Sequence, residues 1–283
     1  MVGDSAQRTR STALKVLVTG GAGLVAGHLV RSAPASHDVE VTWHVRPAPP
    51  GVPGHRVDLT DRGATTRLIA TSAPDVVVHT AYSMTDRAAI VDATANVASA
   101  CAAGGVELVH LSTDAVFGGD RPPYVETDRP DPVNDYGRWK AEAESAAVAV
   151  VPDVCITRTS LVVSLEPPDP ATAWLLDAIE RGERPTLFTD EWRTPIRADD
   201  LAAAIWELVG LDRTERSGIW HLPGPEVLSR WQIGERIIAG SGLGDSVELA
   251  RQGSIADHPT PRSADLTLRS IRPPSGTGLG PVP

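Results

Sequence analysis

The chain contains few of the residues that usually carry redox and proton chemistry. Among its 283 residues are two cysteines, two lysines and three tyrosines, so that nearly every cation is an arginine. Cys101 and Cys155 stand among apolar or small neighbours and are too few for a disulfide framework. We therefore expect two reduced, buried thiols in a cytoplasmic protein.

Long apolar runs are also missing. No stretch approaches the about 18 to 20 apolar residues that a membrane span needs. The formal net charge of -10 argues against a nucleic-acid groove, which needs clustered cations. We expect a soluble protein that binds neither membranes nor nucleic acid, with a flexible start over residues 1–13 and a flexible Pro- and Gly-rich tail over 273–283.

Short β-branched runs alternate with longer amphipathic stretches over residues 14–165, a pattern typical of βαβ units around a parallel sheet. A closed barrel would show the same alternation, but the glycine-rich first turn favours an open, doubly wound Rossmann sheet, an α/β fold. The predicted strands are Val16–Thr19, Val39–Val45, His55–Val57, Val76–His79, Leu108–Ser112 and Val154–Thr157. The predicted helices between them are Gly27–Ser32, Arg62–Ser72, Arg87–Ala103 and Tyr136–Val150.

The sequence pattern changes after residue 165, and residues 166–272 are predicted to form a smaller mixed α/β domain. Some segments of the two domains are expected to interleave. A helix is expected at Ala171–Arg181 with Trp174 on its inner face, and another capped by Asp199 or Asp200. A strand is expected at Gly218–Leu222, and Ser229 with Gln232 predicts a capping box.

The first strand runs directly into a glycine-rich turn in which Gly21, Gly23 and Ala26 fit the dinucleotide-binding fingerprint. Glycines allow the backbone to approach a pyrophosphate, which then lies at the exposed amides of a helix N-terminus. A turn of this kind can also be only a tight corner. Its position between the first strand and the first helix favours the binding site.

The second strand ends in Arg46, where an NAD site would carry an acidic residue. Arg46 is our candidate for the 2′-phosphate of NADP(H), with His44 a weaker second, although Arg46 could be a solvated loop residue. NADP(H) is therefore preferred and NAD(H) remains open. Asp58 follows the third strand and could accept a hydrogen bond from an adenine amino group, or cap the following helix.

Tyr136 and Lys140 stand four residues apart on a predicted helix and so share one face. A close cation would stabilise the phenolate and lower the pKa of Tyr136 towards the range useful for acid–base catalysis. A buried helix pair would have the same spacing, but coincidence is uncommon in a chain with so few tyrosines and lysines. Ser112 and Thr113 end the preceding strand, where a hydroxyl can donate to a substrate carbonyl oxygen.

Several segments together resemble the dTDP-4-dehydrorhamnose reductase group of the extended short-chain dehydrogenases/reductases, from Lys15 to about Leu268. They are Gly20-x-x-Gly23-x-x-Ala26, Asp58-Leu59-Thr60, Pro74 to Ala81, Ser112-Thr113-Asp114, Tyr136-Gly137-x-x-Lys140, Arg158-Thr159-Ser160, Trp192 to Ala202 and Gly218 to Glu226.

The resemblance implies an NAD(P)-dependent oxidoreductase that reduces a sugar-nucleotide ketone. Thr113 would be the hydroxyl of the catalytic triad, Tyr136 the general acid, and Lys140 the residue that holds the nicotinamide ribose. Residues implied to bind the cofactor are Gly20, Gly23, Leu24, Val25, Arg46, Asp58, Leu59, Ala81, Tyr136 and Lys140. Residues implied to bind the substrate are Ser112, Asp114 and Arg193. No metal is expected, and a homodimer is possible.

Two positions depart from the family pattern. Ala115 replaces an aromatic residue, and Leu161 replaces a tryptophan, both of which flank the sugar pocket in the family. These departures argue against dTDP-4-dehydrorhamnose itself as the substrate, but not against the class of reaction. The alternatives are an epimerase or dehydratase of the same superfamily, although Ala115 stands where dehydratases use glutamate, and a non-catalytic NADP-binding regulatory subunit like the methionine adenosyltransferase β subunit.

Overall fold

A computed structural model describes residues 13–48, 50–244, 246–274 and 280–283. The predicted flexible start lies outside the described residues except for Ala13, as does the middle of the predicted tail. At the end of that tail, Gly280 donates its amide to Asp200 at 3.1 Å, and Val282 is buried. The end of the tail therefore lies against the body of the protein. None of the helices in these ranges is long and apolar enough to span a membrane.

A seven-stranded parallel sheet forms the centre of the protein, with the order β11-β6-β5-β4-β1-β2-β3. Its strands are β1 (Lys15–Thr19), β2 (Asp38–Trp43), β3 (Gly54–Arg56), β4 (Val76–His79), β5 (Glu107–Thr113), β6 (Cys155–Thr159) and β11 (Gly218–Leu222). Because β1 lies between β2 and β4, the chain reverses direction across the sheet at this point, where open α/β sheets bind ligands. The open, doubly wound fold predicted from the sequence is confirmed.

Helices cover both faces of this sheet. On one face, α1 (Leu24–Arg31) and α6 (Ala198–Gly210) pack through residues such as Leu29, Leu201 and Ile205. On the other, α2 (Arg62–Ser72), α3 (Ala93–Gly104) and α4 (Asp135–Val150) bury a second apolar cluster. The strands are apolar on both faces because both faces are covered.

The second part of the chain adds short strands and helices beside the sheet. These are β7 (Val162–Val163), α5 (Pro170–Glu180), β8 (Thr186–Phe188), β9 (Trp192–Arg193), β10 (Ile196–Arg197), α7 (Arg213–Arg216), β12 (Leu228–Ser229), α8 (Arg230–Ser241), α9 (Ser246–Leu249) and β13 (Arg251–Gly253). A separate apolar cluster, which includes Leu175, Leu187 and Trp231, holds α5 against α8. The predicted capping box at Ser229 and Gln232 is confirmed.

Four local predictions need correction. Helix α1 begins at Leu24 rather than Gly27, because Gly23 is its N-cap. The helix predicted from Arg87 opens with a π-helical turn at Ala88–Asp92. Neither Asp199 nor Asp200 caps α6, since Arg197 is the N-cap and both carboxylates lie in the first turn, where they still favour the helix dipole. Trp174 is 52% exposed rather than inward-facing.

The strand Gly218–Leu222 lies within the range predicted for the smaller domain, yet it joins the large sheet as β11. It pairs in parallel with β6, with Gly218 beside Cys155 and Leu222 beside Thr159. Helix α6 likewise covers the large sheet. Segments of the second half of the chain therefore complete the fold of the first.

Candidate active site

The glycine-rich turn after β1 has the geometry of a diphosphate cradle. Gly20 has φ +75°, and a Cβ there would lie 2.9 Å from the Cα of Ala81. A side chain is therefore excluded both by backbone conformation and by space. Gly23 donates its amide to the Gly20 carbonyl at 2.8 Å and caps α1 without a side-chain hydrogen bond. The first-turn amides of α1, beginning with Leu24 and Val25, thus suit an anionic group, and the turn fits a dinucleotide.

The end of β2 leads into a loop in which His44 lies near Asp58 and Arg46 follows two residues later. Arg46 is exposed and has no hydrogen bond or ion pair with any described residue. His44 Nε2 lies 3.8 Å from Asp58 Oδ2. Asp58 Oδ1 accepts hydrogen bonds from the Thr60 amide at 2.9 Å and the Thr60 hydroxyl at 2.7 Å, whereas Asp61 caps α2. Asp58 therefore shapes the turn before α2 and is not the helix cap that the sequence left open. Leu59, the next residue, is buried.

The N-terminus of α4 docks onto the residues that follow β5, and this brings Tyr136 beside Thr113. Asn134 caps the helix by accepting the Gly137 amide at 2.8 Å. A Cβ at Gly137 would overlap the Ala115 carbonyl oxygen. The Tyr136 side chain lies close enough to the Thr113 hydroxyl for that group to lower its pKa. Gly137 therefore permits the approach that pairs these two groups, a role that the sequence hinted at only through the Tyr-Gly dipeptide.

Lys140 lies one turn further along α4 and is buried. Its Nζ donates to the carbonyl oxygen of Leu111 in β5 at 2.6 Å. Burial lowers the pKa of Lys140 from 10.5 to about 8, partly offset by the nearby Glu144 carboxylate. Burial and, to a smaller extent, the charge of the Lys140 ammonium group lower the pKa of His79 to about 3. Lys140 is thus a buried cation held to the central strand and surrounded by neutral imidazoles.

The pKa of Tyr136 is raised, contrary to the expectation from sequence. Burial is the main cause, followed by the neighbouring Tyr82 and Asp114, while the Thr113 hydroxyl opposes the shift. Lys140 is not among the causes of this shift, and its ammonium group donates to the Leu111 carbonyl. The expected stabilisation of the phenolate by Lys140 is therefore wrong for this structure. Tyr136 therefore carries its proton at neutral pH, the state in which it can act as a donor.

Tyr82 is a residue of this region that sequence reasoning missed. Its ring centroid lies 6.3 Å from that of Tyr136, and its side chain is 55% exposed. It follows Ala81 in the loop after β4, beside the glycine turn. Its position after a βα strand of the open sheet was the only signal that could have identified it.

Ser112 faces into the protein rather than towards Tyr136. Its hydroxyl donates to Glu144 Oε1 at 2.5 Å, and Arg158 Nη2 lies 2.7 Å from Glu144 Oε2. All three residues are buried. Asp114 is also buried, and it accepts hydrogen bonds from the hydroxyls of Ser160 at 2.7 Å and Thr113 at 3.2 Å. Burial raises the pKa of Asp114.

Arg193 is buried and bound to groups of the protein itself. Its Nη2 donates to Glu191 Oε1 at 2.9 Å, and its Nη1 donates to the Trp192 carbonyl at 2.7 Å. The Nε of Arg193 lies 3.8 Å from Asp114 Oδ2. Arg193 thus connects the short strand β9 to the end of β5, and its sequence-predicted contact with substrate stays a prediction.

The sequence of the chain is similar to those of known proteins. Residues 14–272 match the family model described as the RmlD substrate binding domain. The chain is 32% identical over 226 residues to a dTDP-4-dehydrorhamnose reductase of Sinorhizobium fredii, covering 75% of this chain and 73% of that protein. It is 29% identical over 237 residues to the methionine adenosyltransferase 2 subunit beta of Rattus norvegicus, covering 77% and 70%.

The fold has close counterparts among solved structures. A dTDP-4-dehydrorhamnose reductase from Bacillus anthracis, solved in complex with NADP, superimposes with a TM-score of 0.76 at 20% identity, covering 93% of this chain and 91% of that one. The Bordetella bronchiseptica enzyme WbmG, solved with NAD and UDP, superimposes with a TM-score of 0.74 at 21% identity, covering 93% and 86%. At these identities the likeness is one of fold.

Proposed function

The chain belongs to the dTDP-4-dehydrorhamnose reductase family of extended short-chain dehydrogenases/reductases, which are NAD(P)-dependent oxidoreductases, and on that premise we propose that it reduces the keto group of a 4-keto nucleotide sugar with NADPH. The observation that carries the proposal is the placement of Tyr136 beside Thr113 at the carboxyl end of the central strand β5, with buried Lys140 one helical turn away.

Each of the three residues has one task. Tyr136, which is protonated at neutral pH, donates its proton to the substrate oxygen as negative charge develops there. Thr113 orients the Tyr136 hydroxyl and donates a hydrogen bond to the same oxygen. Lys140 offers its remaining N–H donors to the ribose hydroxyls of the nicotinamide nucleotide. When bound, the nicotinamide supplies the hydride.

The preference for NADPH rests on Arg46. Its guanidinium is exposed at the end of β2 and has no carboxylate partner among the residues that the structure describes. It is free to bind a 2′-phosphate, and residues 44–48, which follow β2, include no acidic residue to bind the ribose hydroxyls of NADH. We expect Arg46→Ala to weaken NADPH binding by about 10-fold or more, as loss of one charge-assisted contact implies, and to leave NADH binding within twofold. Tight binding of NADH alone by the wild type would contradict this role.

The direct test is to supply 4-keto nucleotide sugars and follow NADPH oxidation. Tyr136→Phe removes only the hydroxyl, and we expect it to lower kcat by about 10²- to 10⁴-fold, the contribution of a positioned acid. Tyr82→Phe is the matched control, since it removes a neighbouring hydroxyl that is not bonded to Thr113. Full turnover by Tyr136→Phe would exclude the acid role, and an unchanged NADPH concentration during substrate conversion would indicate an epimerase or dehydratase instead.

The similarity to methionine adenosyltransferase 2 subunit beta supports a second candidate, a cofactor-binding regulatory subunit. Thr113, Tyr136 and Lys140 favour catalysis, because a binding module has no need of a positioned proton donor. Co-purification of a tight partner together with no turnover of any carbonyl compound would favour the regulatory role.

A further inference from the structure

Helix α1, which follows the glycine-rich turn, carries a buried polar side chain that reaches the second part of the chain. His28 is 4% exposed, and its Nδ1 lies 2.5 Å from Asp199 Oδ1 in the first turn of α6. Its Nε2 lies 3.4 Å from the hydroxyl oxygen of Ser164, the residue after β7. One imidazole therefore contacts two residues that lie 171 and 136 positions further along the chain.

Both contacts of His28 are hydrogen bonds, and they persist whether or not the ring carries a charge. A carboxylate only accepts, so Nδ1 carries a hydrogen and donates to Asp199. The Ser164 hydroxyl can donate to Nε2 or accept from it, so this contact is made in both cases. The bond to the carboxylate is charge-assisted and is the shorter of the two.

Packing alone does not explain a histidine at this position. The other buried residues of α1 are Ala26 and Leu29, and both belong to the apolar cluster shared with α6. Burying an imidazole is unfavourable unless its nitrogen atoms are paired, and an apolar residue would have no such requirement. Apolar contacts are non-directional, whereas two hydrogen bonds to separate elements fix the position of α1 relative to both.

The elements that His28 contacts begin beside the proposed catalytic residues. Ser160, four residues before Ser164, donates to Asp114 at 2.7 Å and accepts the Thr194 amide at 3.2 Å. Between Ser160 and Ser164, β7 pairs in parallel with β10, which leads directly into α6. His28 therefore lies where the helix that follows the glycine-rich turn meets the strand pair that borders the active site.

We propose that His28 is a positioning residue through which NADP(H), bound at the glycine-rich turn, orders this strand pair and the segments that follow it. The diphosphate lies at the first-turn amides of α1, and His28 follows the cap residue Gly23 by five positions on the same helix. A cofactor that fixes α1 therefore also restricts Ser164 and Asp199.

The consequence of this link is cooperative binding. A second ligand meets a part of the protein that the cofactor has already ordered, so its binding costs less conformational entropy. By thermodynamic linkage the second ligand tightens the binding of NADP(H) by the same factor. For the keto substrate, this consequence rests on the proposed function.

The test is hydrogen–deuterium exchange of the full chain with and without saturating NADP+, or NAD+ if that binds more tightly. Two reporter regions are residues 164–172, the β7 segment, and residues 196–202, the α6 segment. In the wild type we expect the cofactor to slow exchange at the glycine-rich turn and also, by about 5-fold or more, in both segments. His28→Leu should keep the protection at the turn and lose it in both segments.

Two further variants separate the hydrogen bonds. His28→Asn keeps an amide N–H near the position of Nδ1 but is too short to reach Ser164, so the α6 segment should stay protected and the β7 segment should not. Ser164→Ala removes the same bond from the other side and should give the same pattern, since the Ser164 amide keeps its bond to Asp169. Ser32→Ala is the matched control, because its exposed hydroxyl donates only to the His28 carbonyl oxygen, at 2.8 Å, among the described residues.

The melting temperature and the cofactor affinity of each variant show whether the fold is intact. If His28→Leu does not fold, His28→Asn and Ser164→Ala carry the same test. Equal protection of both segments in the wild type and the His28 variants overturns the proposal, as does a wild type in which the cofactor leaves both segments unchanged. A loss of protection in Ser32→Ala as large as that in His28→Leu also overturns it.

These outcomes are separate from those of the proposed reaction. If protection passes through His28 but no 4-keto nucleotide sugar oxidises NADPH, the reaction is wrong and the link stands. If NADPH oxidation proceeds and Ser164→Ala changes neither exchange nor the KM for the sugar, the link is wrong and the reaction stands. Where both hold, Ser164→Ala should raise this KM by about 5-fold and leave kcat within twofold, because Ser164 touches no reacting group.

Discussion

Replacing Lys140 with methionine should make the protein more stable at neutral pH and remove a pH dependence of its stability. Lys140 is buried, and its pKa falls from 10.5 in the unfolded chain to about 8 in the fold. This difference corresponds to about 3 kcal/mol of unfavourable free energy at pH 7, where the lysine is charged in both states. Methionine has a similar length and no charge to desolvate.

The sign of the pH dependence follows from proton binding. Between about pH 8 and 10.5 the unfolded chain holds a proton on Lys140 that the folded protein has released, so raising the pH stabilises the wild type. The advantage of Lys140→Met should therefore be largest at or below pH 7 and should shrink by about 2 kcal/mol by pH 10. Lys140→Met also loses the hydrogen bond to the Leu111 carbonyl, which costs the variant about 1 kcal/mol at every pH. This loss lowers the difference in unfolding free energy between variant and wild type by the same amount at each pH, so its dependence on pH is unchanged.

The assay is urea denaturation of both proteins at several values from pH 6 to pH 10. Other groups, such as the buried thiols, titrate in the same range, but they are common to both proteins and cancel in the difference. A difference in unfolding free energy that stays constant from pH 7 to pH 10 would refute the claim that Lys140 is an energetically costly buried cation.

Two further predictions concern buried groups outside the triad. Glu144→Ala should lower the unfolding free energy by about 3 to 5 kcal/mol because it leaves Arg158 charged and buried. Glu142→Ala is the control: it breaks an exposed ion pair with Arg87 and should lower the unfolding free energy by less than about 1 kcal/mol. Equal losses for the two variants in urea denaturation would show that the burial of the Glu144–Arg158 pair is unimportant. Burial raises the pKa of the Cys101 thiol to about 12 and raises that of Cys155 as well. Both thiols should therefore react with a disulfide reagent only as fast as the protein unfolds, and rapid labelling of the native protein would contradict their burial.

The sequence predicts those parts of the fold that depend on local pattern. Valine-rich runs such as Val76–His79 form the expected strands because both faces of the sheet are covered. The pairing of β11 with β6 escaped prediction, since Gly218–Leu222 lies some sixty residues from Cys155–Thr159 along the chain. A strand pattern gives the existence of a strand but not its neighbour.

In the candidate site too, the sequence predicts features that depend on local pattern but not contacts with other elements. The four-residue spacing correctly predicts that Tyr136 and Lys140 lie on one helix. It cannot give the direction of the Lys140 ammonium, which is set by the Leu111 carbonyl of another element. The pairing of Arg262 with Glu191 was equally hidden, because the two residues lie 71 positions apart along the chain.

Three residues at four-residue intervals on α4 join the chemistry of the site to the fold. Tyr136 lies beside Thr113 at the end of β5. Lys140 donates to the Leu111 carbonyl in the same strand, and Glu144 binds Ser112 in β5 and Arg158 in β6. Residues at this spacing share one helix face, so the contacts fix the rotation of α4 as well as its distance from the sheet. A substitution at Glu144 should therefore rotate α4 and so affect catalysis. It would lower kcat through the misplaced Tyr136, without removing any group that touches the substrate.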